Sequence, residues 1–199
     1  MLGLAELDPE IVPVTAVHPA GNYLFEEAML AATSCEIFTF DCTYKGKSIK
    51  EGRHFYYDYC IGDPALSKTT GRTFKSWDDV TREFKHGYVN LLKIDIEGHE
   101  YAALAEMRAD SDRILPDEIS IEIHARFVAR WAKTHLEGSW QNGLYLPHTP
   151  GDMGLVFMHL ANQGYGAYVT EENADWYMCC SEFSLLRIPA AAALATSRL

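Results

Sequence analysis

Two hydrophobic periods alternate along this chain. Residues 117–124, DEISIEIH, set Ile119, Ile121 and Ile123 against Ser120, Glu122 and His124, the period of two expected of a strand. Residues 149–164, TPGDMGLVFMHLANQG, instead stack Met153, Val156, Phe157, Leu160 and Ala161 at helical spacing. Thr149 is the expected cap there, Pro150 the first helical residue and Gly164 the stop.

The same two patterns recur upstream. Residues 11–17 (IVPVTAV) read as a strand weakened by Pro13, and 36–40 (EIFTF) and 54–62 (HFYYDYCIG) as two more. GNYLFEEAMLAAT carries Phe25, Ala28, Met29 and Ala32 on one helical stripe, with Asn22 as cap. SWDDVTREFKHG offers Ser76 and Asp79 as a capping box and Gly87 as the stop. VNLLKID is a strand leading into a helix from about His99 to Ala109. YGAYVT and EFSLLRI close the chain as an antiparallel hairpin, and 189–199 is an Ala-rich tail. Residues 125–148, rich in Trp and His, fit no clean period and read as an insert.

Strands alternating with helices predict a mostly parallel sheet covered on both faces, with an antiparallel C-terminal hairpin. At 199 residues the chain is expected to form a single domain over 1–188. Its net charge is −11, with the 17 Lys and Arg scattered, so no footprint for nucleic acid is visible. No apolar run is long enough to cross a membrane and the N-terminus lacks a signal-peptide pattern, which predicts a soluble chain. The five cysteines, with Cys179 and Cys180 adjacent, suggest no disulfide framework and favour a reducing, cytoplasmic setting without fixing a compartment.

Ligands of open parallel sheets bind beyond the carboxyl ends of the strands. The residues there are His18 to Asn22, Asp41, Gly62 and Asp63, Asp95 to Glu97, and His124. Asp41 lies 20 residues beyond Gly21, the separation at which an acid receives ribose hydroxyls in nucleotide-binding folds; an Asp that merely opens the turn DCTYKG is the lesser alternative. Glu26 and Glu27, in the first turn of the helix after Gly21, would repel a pyrophosphate there. A nucleoside ligand without phosphates, such as S-adenosylmethionine, is therefore favoured.

Asp95 and Glu97 straddle the end of an apolar strand, followed by Gly98, and carboxylates are costly to desolvate unless paired or used. They read as solvated turn residues or, for Glu97, as the cap of the next helix; as a general base or a hydrogen-bonding anchor beside the reacting group; or as metal ligands with His99 and His124. No H-E-x-x-H or other metal signature is present, and no metal is assigned. Glu122 and His124 ask for partners on a strand expected to be covered on both sides, with His124 nearer the cleft.

LLKIDIEGHEYAAL closely resembles the K-I-D-hydrophobic-E-G-x-E segment of FkbM-type methyltransferase domains, of the class I Rossmann-like superfamily. GNYLFEEAML…CEIFTFDCT is similar to the region joining the glycine motif to the second strand, EISIEIH to the fifth strand, and residues 164–188 to the closing hairpin. The resemblance implies a Rossmann-like fold with S-adenosylmethionine as methyl donor and O-methylation of a small-molecule or glycan hydroxyl. It implies Gly21 and Asn22 at the glycine loop, Asp41 with Cys42 at the ribose, Gly62 and Asp63 on the adenine side, and Asp95 near the sulfonium and acceptor. Asp95 or His124 would take the hydroxyl proton and Glu97 would orient the acceptor. Where relatives carry a glycine-rich turn this chain has VHPAGNY, with Gly21 its one glycine, so its first strand and glycine loop are atypical. That departure motivates the alternative of a non-catalytic binding module on the same fold. The third reading, a metal-dependent glycosyltransferase using Asp95 and Glu97, lacks a phosphate cradle.

Overall fold

The computed structural model describes residues 14–16, 22–108, 114–124, 148–172 and 180–188. Gly21, Pro19, the expected insert up to residue 147 and the tail lie outside the described residues.

Nine strands are described: β1 (Val14–Ala16), β2 (Ile37–Phe40), β3 (His54–Tyr57), β4 (Cys60–Ile61), β5 (Phe74–Lys75), β6 (Leu91–Ile94), β7 (Glu118–His124), β8 (Tyr165–Glu172) and β9 (Cys180–Arg187). The α-helices are α1 (Leu24–Ala32), α2 (Ser67–Thr70), α3 (Trp77–Glu83), α4 (Glu100–Ala105) and α5 (Pro150–Asn162), with a 3-10 turn at Pro64–Leu66. Seven strands form one mixed sheet in the order β3-β2-β1-β6-β7-β9-β8. β3, β2, β1, β6 and β7 run parallel, and β9 is antiparallel to both β7 and β8. The chain winds outward from β1 in one direction through β2 and β3 and in the other through β6 and β7. The β1/β6 boundary is therefore a topological switch point.

Apolar strand positions make the core. Ile37, Phe40, Leu92, Ile94, Ile119, Ile121 and Ile123 are buried with Trp77, Leu104 and Leu160 from the helices. Each such side chain contributes about 1.5–3 kcal/mol of burial free energy. The period-two reading of β7 holds: its three isoleucines are buried while Glu118, Ser120 and Glu122 are half-buried. The expected capping box of Ser76 with Asp79 is formed, and the expected cap Thr149 forms a box with Asp152 as well.

Several local expectations are corrected. Residues 54–62 are not one strand, because β4 leaves the main sheet after Tyr57 and pairs with β5 in a separate two-stranded sheet. The bridge between Cys60 and Cys42, Cα atoms 4.9 Å apart, holds that departure in place. The bridge also overturns the reading of the cysteines as a set without disulfides and removes that argument for a reducing compartment. The helix from Ser76 ends at Phe84 rather than Gly87. Lys85 takes the left-handed position (φ 54°), and the His86 N–H closes on the Thr81 carbonyl at 3.0 Å. The helix after His99 spans Glu100–Ala105 and stops short of Ala109.

α1 shows the most informative difference. Ala28 and Ala32 are exposed, and the residue most deeply buried on this helix is Glu26, 1 % exposed. Its Oε1 accepts the Thr39 hydroxyl at 3.4 Å, and Thr39 Oγ1 lies 3.0 Å from His54 Nε2. Glu26 is thus a buried member of a polar chain against the sheet, its carboxyl pushed up by burial, and not a surface acid guarding a loop. The argument against a phosphate that rested on Glu26 no longer applies.

Candidate active site

Parallel register aligns the strand ends at the switch point. Ala16 pairs with both Phe40 and Ile94, and Ile94 with Ile121. Asp41 and Asp95, one residue further along, therefore leave the sheet at one level with β1 between them, about 10 Å apart at two interstrand spacings. Their surroundings differ sharply.

Asp95 begins the turn that carries the chain from β6 into α4. Glu97 (φ 56°) and Gly98 (φ 97°) are consecutive left-handed residues, a conformation glycine adopts freely and glutamate only at a cost. The turn is held from both sides. The Gly98 N–H donates to Glu100 Oε2 at 2.6 Å, and His148 Nε2 donates to the Gly98 carbonyl at 2.8 Å while stacking on Tyr101. The Tyr101 hydroxyl in turn donates to the His124 carbonyl at 2.9 Å, tying α4 to the end of β7.

Glu100 is fully buried. Beyond the Gly98 N–H on Oε2, its Oε1 accepts the His124 backbone N–H at 3.1 Å and lies 2.5 Å from His124 Nδ1. With backbone donors on both oxygens, Glu100 is the acceptor of this pair and Nδ1 carries the proton. His124 Nε2 then faces Glu97 Oε2 at 3.4 Å, Asp95 Oδ1 at 3.8 Å and Glu122 Oε1 at 3.9 Å. Burial by itself pulls the imidazole pKa down. The hydrogen bond and charge of Glu100, with the charges of Glu97 and Asp95, outweigh that and hold it up at about 9. At neutral pH this environment favours the imidazolium form of His124.

Of the residues expected from the sequence, Asp95, Glu97 and His124 meet here, with Glu122 beside them. One potential ligand atom from each of Asp95, Glu97 and His124 lies within 4.8 Å of the others, and Glu122, His124 and Cys180 form a second such group. Cys180 is disulfide-bonded, so it offers no thiolate in this form.

The remaining expected residues stand elsewhere. Asp41 is buried, and its Oδ1 closes its own turn by accepting from the Thr43 N–H and hydroxyl, each at 2.6 Å, and the Tyr44 N–H at 3.2 Å. The turn reading of Asp41 is thus correct for one oxygen, and Oδ2 takes no part in those bonds. Cys42 has its sulfur in the bridge to Cys60, which leaves only its backbone for a ligand. The Cys42 carbonyl already accepts from Arg72. Asn22 is exposed, and its Oδ1 accepts the Leu24 N–H at 3.1 Å. Asp63 is exposed and caps the 3-10 turn through the Ala65 N–H at 2.8 Å.

Gly62 is buried with φ +153°, and a Cβ added there would stand 3.5 Å from the Cβ of His99. His99, also buried, packs on Phe74 with ring centroids 5.1 Å apart. The two residues that the sequence reading left out of the site are Glu100 and His148. The available signal for Glu100 was its place at the end of the I-E-G-H-E segment, three residues beyond Glu97.

The model of the methyltransferase FkbM domain family matches residues 64–166. The match covers more than half of the 199 residues, and the chain belongs to this family. The matched span contains Asp95, Glu97, Glu100, Glu122 and His124, and begins beyond Asp41 and Cys42. No curated protein matches the chain. Family and fold together support a methyltransferase-type function for this mixed α/β protein. No described helix is long and apolar enough to cross a membrane.

Proposed function

We propose that the chain is an S-adenosylmethionine-dependent methyltransferase that methylates a hydroxyl of a small-molecule or glycan acceptor. It does so on a single Rossmann-like domain spanning residues 1–188. The observation that carries this reading is the meeting of Asp95, Glu97 and His124 beyond the strand ends beside the β1/β6 switch point, inside the family match. Family membership supports methyl transfer over glycosyl transfer.

Two features suit the cofactor. Asp41 keeps Oδ2 outside the hydrogen bonds of its own turn, and it leaves the sheet at the level of Asp95 with one strand between. Asp41 would hold the ribose hydroxyls, while Asp95 would sit at the reacting end. When bound, S-adenosylmethionine supplies an electrophilic methyl group on a sulfonium.

Asp95, 5 % exposed, would accept the acceptor's hydroxyl proton as the oxygen is alkylated. His124, holding its own proton, would set a positive charge against Asp95 and Glu97. Glu97 would receive a hydrogen bond from the acceptor. Much of the rate gain would come from holding the reacting atoms in line.

The test is calorimetric titration of the folded chain with S-adenosylhomocysteine, beside Asp41→Ala and Asp95→Asn. Binding that is lost in Asp41→Ala and kept in Asp95→Asn, with transfer abolished in the latter, is the expected pattern. Failure of the folded parent to bind would favour the non-catalytic module instead.

A further inference from the structure

We propose that the bridge between Cys42 and Cys60 is a redox switch on the Asp41 turn, closed as the disulfide and opened by an incoming dithiol. Its effect on a ligand rests on the nucleoside reading above; its effect on the turn does not.

Cys42 directly follows Asp41 and lies inside the turn that Asp41 Oδ1 closes on the N–H groups of Thr43 and Tyr44. From the β3 side the turn is held by hydrogen bonds. The Asp41 N–H donates to the Tyr57 carbonyl at 3.1 Å, and the Tyr56 hydroxyl to the Asp41 carbonyl at 2.8 Å. From the β4 side it is held by the disulfide and, among the described residues, by the donation of Arg72 to the Cys42 carbonyl. Breaking the sulfur–sulfur bond therefore removes the one covalent tie of the turn to β4. Thr43, Tyr44 and Lys45 are exposed, so water competes for their hydrogen bonds once that tie is gone.

The remainder of the fold does not hang on the bridge. β4 and β5 stay joined by the Cys60 N–H on the Thr73 carbonyl at 2.8 Å and the Gly62 N–H on the Lys75 carbonyl at 2.9 Å. Ile61 and Phe74 anchor both strands in the core, 1 % and 3 % exposed. Reduction loosens the turn and leaves the chain folded.

Burial sets the course of the exchange. Cys42 is buried and Cys60 half-buried, so the thiolate of a dithiol attacks the Cys60 sulfur. As that bond forms, the bond to Cys42 breaks, and Cys42 leaves as a thiolate beside the cationic Arg72 and takes up a proton. The second thiol of the reagent then displaces Cys60, which is protonated in turn, and the reagent departs as a cyclic disulfide. Two electrons and two protons have passed from the dithiol to the two cysteines.

Linkage fixes a quantitative relation. If the disulfide form binds a nucleoside more tightly by some factor, the bound nucleoside must resist reduction by the same factor.

The full chain would be equilibrated in mixtures of reduced and oxidised dithiothreitol, with the thiols of Cys42 and Cys60 counted by alkylation and mass spectrometry and folding followed by circular dichroism. Amide hydrogen exchange at Thr43 and Tyr44 would be read in each form, and S-adenosylhomocysteine titrated into each. The reduced chain should stay folded, exchange faster at both amides and bind about fivefold or more weakly. Saturating S-adenosylhomocysteine should raise the reductant ratio at half-reduction by that same factor. Cys60→Ser should match the reduced parent at both amides and not respond there to dithiothreitol, which separates this bridge from the disulfide at Cys180. Unfolding on reduction would make the bridge a structural staple and overturn the proposal. So would a bridge that stays oxidised in excess reduced dithiothreitol, or unchanged exchange at Thr43 and Tyr44 in the folded reduced chain. Equal affinity in the two forms would overturn the coupling to the ligand. Failure of the folded, oxidised parent to bind S-adenosylhomocysteine would instead sink the nucleoside reading, and amide exchange would still decide the switch.

Discussion

His124 Nδ1 and Glu100 Oε1 lie 2.5 Å apart, a contact between the last residue of β7 and the first residue of α4. Glu100→Gln replaces an acceptor oxygen with an amide that must donate, leaving either the Gly98 N–H or the His124 ring without its partner. Urea denaturation should show a loss of about 1–3 kcal/mol. By NMR titration the His124 pKa should fall from about 9, because the first two upward influences on it come from Glu100. An unchanged His124 titration in a folded variant would refute the assignment of Glu100 as its positioning residue.

Glu97 occupies left-handed backbone at φ 56°. Glu97→Gly relieves a conformational cost of about 1–2 kcal/mol and adds a glycine entropy cost of about 0.5–1 kcal/mol. Thermal stability should therefore hold or rise while methyl transfer falls, a divergence expected where strain is kept for function. Gly98→Ala, at φ 97°, should do the reverse and destabilise. A marked loss of stability in Glu97→Gly would show that the side-chain contacts of Glu97 outweigh its strain.

Cys42 and Cys60 close a loop with a sequence separation of 18. Constraint of the unfolded chain by a loop of this size is worth about 3 kcal/mol. The double variant Cys42→Ser, Cys60→Ser should lose about that much in denaturation, and dithiothreitol should destabilise the parent more than the variant, which keeps the disulfide at Cys180. Equal behaviour of the parent with and without reductant would count against a stabilising bridge.

His54 is buried, and its Nδ1 accepts the Ile49 N–H at 2.9 Å, which only the neutral ring can do. Burial lowers its pKa from 6.5. Below about 6.5 the unfolded chain then binds more protons than the folded one, so stability falls with decreasing pH until the folded-state value is passed. His86, lowered by burial in the same way, adds to that slope. His124, held up at about 9, acts in the opposite sense over the same range, and Glu26 does so at lower pH, since burial favours its protonated form. Urea midpoints measured from about pH 7.5 down to about pH 5 should therefore fall more steeply, or rise less, in the parent than in His54→Gln. The same slope in parent and His54→Gln would contradict the neutral assignment of His54.

Local chemistry made much of this legible beforehand. The capping box at Ser76, the Thr149 cap and the alternation of β7 depend on neighbours within a few residues, and all three formed as expected. The pairing of Asp95 and Glu97 with His124 followed from one general rule, that strand ends of a parallel sheet converge. Glu26 shows where such reasoning stops. The helical spacing places the apolar stripe on Phe25, Ala28, Met29 and Ala32, but Thr39, on a strand 13 residues away, draws the Glu26 carboxylate inward. The division of residues 54–62 likewise depended on Cys42, outside the segment.

The alternation of strands and helices, the terminal hairpin, the family and the acids at the end of the KIDIEG segment are written in short-range pattern and residue type, and so are legible from the chain. The tertiary structure alone decided which carboxylate holds His124. Glu97, Glu100 and Glu122 are chemically alike in the sequence. Only the left-handed turn at Glu97–Gly98 and the packing of α4 against β7 bury Glu100 against Nδ1, leaving the others facing Nε2. That choice is a matter of direction and desolvation between segments 24 residues apart, which no local pattern encodes.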